Sequence, residues 1–555
     1  MRLKFEKSRA WMKTIINIIY AVLFSGVLVG TLMIDKHNEQ NSFQNKVPWA
    51  NGGYYLIALI LLAAICCLYV RRGQKRYSGE RSFRIAVAVI FVFVLFLQTF
   101  VAKWVPIMDQ PNDFGEVHNM AIRLANGGQF LGDEYFSVHY NNANLTILLS
   151  WVYGIFRSWR AIIMIGAVLT NLSVVIMTFI IRKLTHNPYV AIIMCVIAEI
   201  MAALSLRAFY PYTDNWAMPL IIGMIAAFVS DIRPVFKAPL VLLLGMAGTW
   251  IKITAAIPLL AICFYCVLTG DVFRLVKDFS NKSGSSKKRK AARKSRLLTL
   301  ALCLAVLLGG FVMSTALKMR YPIELSDDAR GWQFMFMVGQ AYENSGQSGG
   351  TEYEAVWEEI MQKYPDRKNR LDECRRQGMN WVKERGIIGG IGFYLKKLNV
   401  AYNDGYFHNI QPYDHDTVKP GIVREIYDNR GAYVIIVGEL KQVLWDFSLI
   451  CLAFPIILNL LRLKRKNICL FFEMSIIGVI LYMFLFEGRS KYLYMFLPLY
   501  FSFAGIMLDQ ILKEVSLIHT CMKDYRNRKT DDRQRSRQKR KRQQRQTAED
   551  GKMER

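Results

Sequence analysis

Cysteine is scarce wherever it could build a framework. Of ten cysteines, Cys66, Cys67, Cys195, Cys263, Cys266, Cys303, Cys451 and Cys469 lie in apolar segments and Cys521 lies in a basic tail. Only Cys374 falls in a stretch placed outside the membrane, so an extracytoplasmic disulfide scaffold is excluded. Cys263 and Cys266 are expected to act as small apolar packing residues. The N-terminus lacks a small-residue cleavage site, and its apolar stretch Lys13–Ile34 is too long for a signal peptide, so it reads as a retained helix. The chain has no internal repeat, and no Gly/Pro-broken helices in two matching halves, an arrangement common in secondary transporters. Acidic residues are outnumbered, 43 against 71 Lys and Arg, for a net charge of +28. The basic residues form short blocks beside apolar runs rather than one interleaved face, which excludes nucleic acid as a partner and points to loops facing anionic lipid.

What the 555 residues hold in abundance is apolar length, with 53% hydrophobic residues. Uncharged runs of about 20 residues must be helices in lipid, because only a helix satisfies its own backbone there. Such runs fall near 14–34, 53–70, 84–105, 161–181, 188–206, 215–230, 238–251, 254–270, 297–317, 434–461, 468–486 and 492–511. The expected fold class is therefore an all-α polytopic membrane protein of about twelve transmembrane helices, with interfacial helices and a small mixed or mainly helical extracytoplasmic domain.

Ala143–Phe156 is apolar but short, and charge decides its place. If it does not span, the loops Arg71–Arg84, Arg182–Lys183, Arg233–Lys237, Arg274–Arg296, Arg462–Lys466 and the tail from Lys523 share one side with the N-terminus. If it spans, the ten Lys and Arg of Arg274–Arg296 cross to the side opposite Arg71–Arg84, against the positive-inside bias. It is read as an interfacial helix, with both termini cytoplasmic. The chain then divides into a two-helix extension (1–83), a membrane core (84–317) with an external loop (106–160), an extracytoplasmic domain (318–432), C-terminal spans (433–511) and a basic cytoplasmic tail (512–555). The tail and Asp271–Arg296 read as solvated tracts, the tail tethering to lipid headgroups.

Several constellations bear chemistry. Val117, Met120, Ala121 and Leu124 form one apolar stripe, so 114–126 is predicted to be an amphipathic surface helix stopped by Gly127-Gly128. Asp113-Phe-Gly-Glu116 has capping-box spacing, so Asp113 is either a cap or a cap that also serves as a fixed carboxylate. Asp109 lies just upstream. His139, Tyr140, Asn141 and Asn142 make a polar cluster whose amides and phenol can bind sugar hydroxyls, although Asn is also a common helix cap. His118 and His139 could join the aspartates on a divalent metal, but no tight ligand spacing supports one. Asp214 returns a carboxylate to the outer surface in Tyr210-Pro-Tyr-Thr-Asp-Asn-Trp216. Lys252 interrupts an apolar run, either as a snorkelling lysine or as a cation for a phosphate. Arg489, Lys491 and Tyr492 lie in a short external turn, where positive charge opposes the topological bias and implies an anionic partner.

The order of an Asp-bearing external loop, surface helices, a second acidic turn and a late Arg-Ser-Lys-Tyr-Leu turn before Phe496-Leu497-Pro498 resembles the GT-C superfamily of integral-membrane glycosyltransferases. Its members include the protein O-mannosyltransferases and the lipid A aminoarabinose transferases. The resemblance covers roughly residues 84–511. It implies Asp113 as general base with Asp109 as runner-up, Asp214 as the second acidic residue, and Arg489, Lys491 and Tyr492, with Lys252, at a donor phosphate. Trp332…Gly339-Gln340-Ala341…Gly346 and Asn403-Asp-Gly-Tyr-Phe407 look like segments of uncharacterised Gram-positive members. The chain departs from the pattern by two helices before the core and by Asn141-Asn142 without a preceding proline. The function so implied is inverting transfer of a sugar from a polyprenyl-phosphate donor to an envelope glycan, teichoic acid or protein, outside the cell membrane. The alternatives are a lipid-linked sugar transporter or flippase and a non-catalytic envelope assembly protein.

Overall fold

The computed structural model describes residues 2–33, 51–72, 79–103, 105, 113–269, 319–342, 346, 351–407, 432–463 and 466–553, with isolated positions between 308 and 315. Among the described residues there is no strand. In chain order the helices are α1 Arg2–Met33, α2 Asn51–Arg72, α3 Glu80–Ala102, α4 Asp113–Ala125, α5 Glu134–Val138, α6 Ala143–Phe156, α7 Trp159–Thr185, α8 Pro188–Ala198, α9 Thr213–Val229, α10 Pro234–Ile251, α11 Ala256–Thr269, α12 Trp332–Gln340, α13 Thr351–Lys363, α14 Arg367–Tyr402, α15 Ala432–Leu460, α16 Cys469–Leu485 and α17 Leu497–Met553.

Six stretches, in α1, α2, α3, α7, α15 and α17, are long and apolar enough to cross a membrane. Five shorter apolar helices match further expected spans: Pro188–Ala203, Thr213–Val229, Phe236–Ile251, Ile253–Thr269 and Cys469–Leu485. The expected span 297–317 and the basic tract Arg274–Arg296 lie largely outside the described residues, as does the loop Asp35–Gly52. Burial follows a lipid logic rather than an aqueous one. In α3, Phe83, Val87, Val94 and Gln98 face inward while Ile85, Val89, Val92, Phe96 and Phe100 remain exposed. An apolar outer stripe of that kind suits a lipid surround, since tails solvate it as well as a core does.

One span is broken. After α8, Glu199–Ala203 forms a π-turn closed by Leu204 N–H to Glu199 O at 2.8 Å. The carbonyls of Ala202 and Ala203 within it accept from Tyr494 OH and from Gln98 Nε2, each at 2.9 Å. Backbone groups loosened inside a bundle need such partners where no water reaches.

The bundle has two chemically distinct ends. At one, Lys13 donates to Asn467, Lys466 to Leu184 O, Arg182 pairs with Glu80, Lys183 with Asp231, and Asn187 with Asp509. Of the basic loops expected to share a side, those at Glu80, Arg182–Lys183 and Lys466 thus meet physically. At the other end α6 packs along α4, and the helices α12 to α14 carry a small core of their own, built on Phe334, Met337, Val338, Tyr353, Leu371 and Cys374.

Three expectations change in detail. The surface helix is Asp113–Ala125, one residue earlier than predicted, with Gly127 taking φ +87° past its end. The solvated tail is helical, with α17 continuing through it to Met553. Cys266 is a free buried thiol, whereas Cys263 is disulfide-bonded rather than merely packed.

Candidate functional site

The exposed carboxylate of Asp113 opens α4, and two phenols hold it. Tyr135 OH donates to Oδ1 at 2.8 Å and Tyr212 OH to Oδ2 at 3.4 Å. Asn142 Nδ2 in turn donates to Tyr135 OH at 2.7 Å, and the Asn142 side chain also bonds Tyr212. Burial, with the neighbouring Asp113 charge, pushes both phenols well above their ordinary range, so they remain donors. The sequence places these groups for local reasons. Asp133 accepts from Phe136 N–H and starts α5, which carries Tyr135, and the turn Tyr140–Asn142 then feeds α6. Tyr212 is the residue immediately before α9.

Asp214, one residue into α9, is 2% exposed and lies between two cations. Arg207 Nη2 is 3.2 Å from Oδ2, and Lys252 Nζ bonds Oδ1. Two positive charges share one negative charge, so the group as a whole is cationic. Lys252 ends α10 in an extended conformation, and Asn144 Nδ2 ties α6 to this helix end through Trp250 O at 2.8 Å. The ring of Tyr492 joins the pieces, with Lys252 Nζ 5.5 Å and Lys491 Nζ 5.1 Å from its centre. Lys491 also lies within electrostatic reach of Asp113, Arg207, Arg489 and Glu487.

The turn that carries these cations is gripped from two sides. Gly488 N–H donates to Gly346 O at 3.1 Å, and a Cβ on Gly339 would stand 2.5 Å from Phe486 C. Gln340 Nε2 donates to Phe484 O and Leu485 O at 2.8 and 3.2 Å. On the other flank Ser490 Oγ donates to Asp404 Oδ2 at 2.6 Å, while Gly405 N–H reaches Gln442 Oε1 at 2.9 Å. The two sequence segments around Gly339-Gln340 and Asn403–Phe407 are therefore the two jaws of a clamp on Glu487–Lys491.

Of the expected site residues, Asp113, Asn142, Asp214, Lys252, Lys491 and Tyr492 converge. Arg489 reaches the same turn, but its Nε stands 2.9 Å from Glu487 Oε1, with both groups buried, and Tyr492 OH bonds the other Glu487 oxygen. His139 stacks on Tyr135 at 4.8 Å, and burial and Arg330 hold it below its ordinary range against the opposing pull of Asp113. Asn141 donates to Asn142 at 3.3 Å, and Tyr140 shares their turn. His118 lies instead on the buried face of α4, edge-on to Trp159 at 4.2 Å. Asp109 is outside the described residues. Sequence reading had given no role to Tyr135, Arg207, Glu487 or Arg330. Arg330 comes from the far segment 321–331, which docks by Ser326 N–H to Ser137 O and Arg330 N–H to Val138 O. Among the described residues no group of three or more His, Cys, Asp or Glu is placed to hold a metal ion.

One protein-family model, described as "Conserved hypothetical integral membrane protein", matches residues 9–512. No curated protein and no solved structure matches the chain.

Proposed function

Because the chain belongs to this family of integral membrane proteins, which fixes its setting and leaves its chemistry to the site, we propose a multi-pass membrane glycosyltransferase of about twelve spans. It takes a sugar from a polyprenyl-phosphate donor and places it on an envelope glycan, teichoic acid or protein outside the cell membrane. The observation that carries this reading is an exposed carboxylate, oriented by two phenols, within electrostatic reach of Lys491 and joined through Tyr212 to the buried Arg207–Asp214–Lys252 group, which has more cations than anions. A lipid phosphate would sit against Lys491 and Lys252, over Tyr492. Among the described residues Lys491 has no carboxylate at ion-pair distance, whereas the Arg489 charge is met by Glu487. The acceptor hydroxyl would lie at Asp113, which takes its proton as the oxygen attacks the anomeric carbon and the phosphate leaves from the opposite face. That single displacement inverts the centre. Asn142, His139, Tyr140 and Asn141 rim the acceptor side. The basic end of the bundle is cytoplasmic on this reading and the site external.

A transporter reading draws on a different place. Glu199 is 2% exposed at the π-turn, and neither carboxyl oxygen has a hydrogen-bond partner among the described residues; intramembrane carboxyls often mark transport paths. Mass spectrometry of envelope polymers from a strain lacking the chain separates the two. Glycosyl transfer predicts loss of one sugar substituent, restored by the parent chain and not by Asp113→Asn. Restoration by Asp113→Asn together with failure of Glu199→Gln would favour transport.

A further inference from the structure

The helical unit α12 to α14 carries a cleft that the transfer site does not use. It holds about 270 Å³ and is lined by Tyr342, Glu352, Trp381, Glu384 and Arg385. That is just below the ~300–1,000 Å³ of drug-sized ligand sites, so it suits a single ring. Trp381 is half-buried, packed by one flank on the unit's small core. Arg385 is fixed in place: Nη1 and Nη2 donate to Gln340 O and Oε1 at 2.7 and 2.8 Å, and its guanidinium lies 3.8 Å over Phe393. The remaining donors of its fork are available to a ligand.

The lining carries charge of both signs. Lys396 stands 5.8 Å over the Tyr342 ring and Phe393 stacks on that ring, which leaves Trp381 as the aromatic face of the lining for a ligand, while Arg385 stands against a cation. Glu352 and Glu384 repel an anion. What fits is an uncharged ring with an apolar face and a hydroxyl rim, its C–H face against Trp381, its hydroxyls donating to the two carboxylates and accepting from Arg385. We propose that this cleft binds a pyranose unit of a glycan. Gln340, which holds Arg385, also holds the carbonyls of Phe484 and Leu485 just ahead of Glu487, so the cleft and the transfer site share one strut. Identification of that glycan as the acceptor rests on the transfer reading above; the binding does not.

The test is saturation-transfer NMR on the full chain in nanodiscs, without any lipid-linked donor. The probes are the methyl pyranosides of glucose, galactose, mannose and N-acetylglucosamine. Ring C–H protons of at least one probe should receive saturation. Trp381→Ala should weaken that binding on the order of tenfold, the worth of one aromatic face. Trp381→Phe should restore most of it, and Glu384→Gln should weaken it with no change in melting. Tetramethylammonium and inorganic phosphate should not compete. Silence from all four probes, competition by tetramethylammonium, or binding unmoved by both Trp381→Ala and Glu384→Gln overturns the proposal. Pyranoside binding in a chain that transfers nothing would sink the transfer reading and leave this site standing; transfer without pyranoside binding would remove the cleft alone.

Discussion

On the proposed reading Asp113 takes the acceptor's proton, and asparagine is the substitution that separates that role from a structural one. Asn can still accept from Tyr135 through its one carbonyl oxygen, with the Tyr212 hydroxyl turning to accept from the amide, and it can still begin a helix, but it cannot take a proton at neutral pH. Asp113→Asn should melt with the parent and lose at least about 100-fold in turnover, the usual worth of a general base; near-full turnover would reduce Asp113 to a helix start. The cations differ among themselves. Lys491→Ala should impair use of the donor with little effect on melting, while Arg489→Ala strands the buried Glu487 carboxylate and should cost several kcal/mol, on the order of 3–5. Adding Glu487→Gln to Arg489→Ala should recover part of that loss in a thermal-shift assay, since it removes the stranded charge. His139 supplies a pH signature. Its folded value lies below the ordinary 6.5, so the unfolded chain binds the proton first and stability falls as the pH drops through 6.5 and below. His139→Gln should flatten that part of the melting-versus-pH curve; an unchanged slope would show that His139 titrates as it does in the unfolded chain.

Among the elements, those legible in the sequence were the ones that local pattern determines. Apolar length announced the spans, and the stripe Val117, Met120, Ala121, Leu124 announced α4, because both signals are complete within a few turns of helix. Partners far away in sequence left no such signal. Tyr135 gave no hint of its bond to Asp113 because a phenol in a polar loop looks like any other. Arg207 reads as part of an apolar helix end until Asp214 folds back beside it. The clamp was visible only as two unexplained motifs. Gly339 and Gly405 are glycine because Phe486 and Lys441 backbone atoms would meet a Cβ at 2.5 and 2.8 Å, and those neighbours lie 147 and 36 residues away. Gly339→Ala should therefore push the Glu487–Lys491 turn off its seat and destabilise by about 1–3 kcal/mol, as overpacking commonly does. Donor use should fall with it, although residue 339 touches none of the cations; full donor use at normal stability would show that the turn holds itself.

At the scale of the whole molecule, the division of charge between the two ends sets the direction of the chemistry. Lys13, Arg182, Lys183, Lys466 and Lys513 gather at one end with their carboxylate, amide and carbonyl partners, and α17 carries the basic tail away from that same end. Asp113, Asp214, Lys252 and the Glu487–Lys491 turn lie at the other end, where Gln340 and Gly346 grip the turn. Basic residues are retained on the cytoplasmic side during insertion, so the first end should face the cytoplasm, where the tail and the tract 274–296 meet anionic lipid. On the proposed reading the site would then open outward, onto lipid-linked donors and envelope polymers rather than onto soluble nucleotide sugars. Cysteine accessibility decides the matter in intact cells, in a chain whose exposed Cys67 and Cys521 are first replaced. Ser285→Cys should resist a membrane-impermeant maleimide until the cells are opened. Lys368→Cys, exposed near the start of α14, should react at once from outside. The reverse pattern would place the cations of Arg274–Arg296 outside, turn Asp113 to the cytoplasm, and remove the envelope acceptor from the proposal while leaving the carboxylate, its phenols and the clamp where they are.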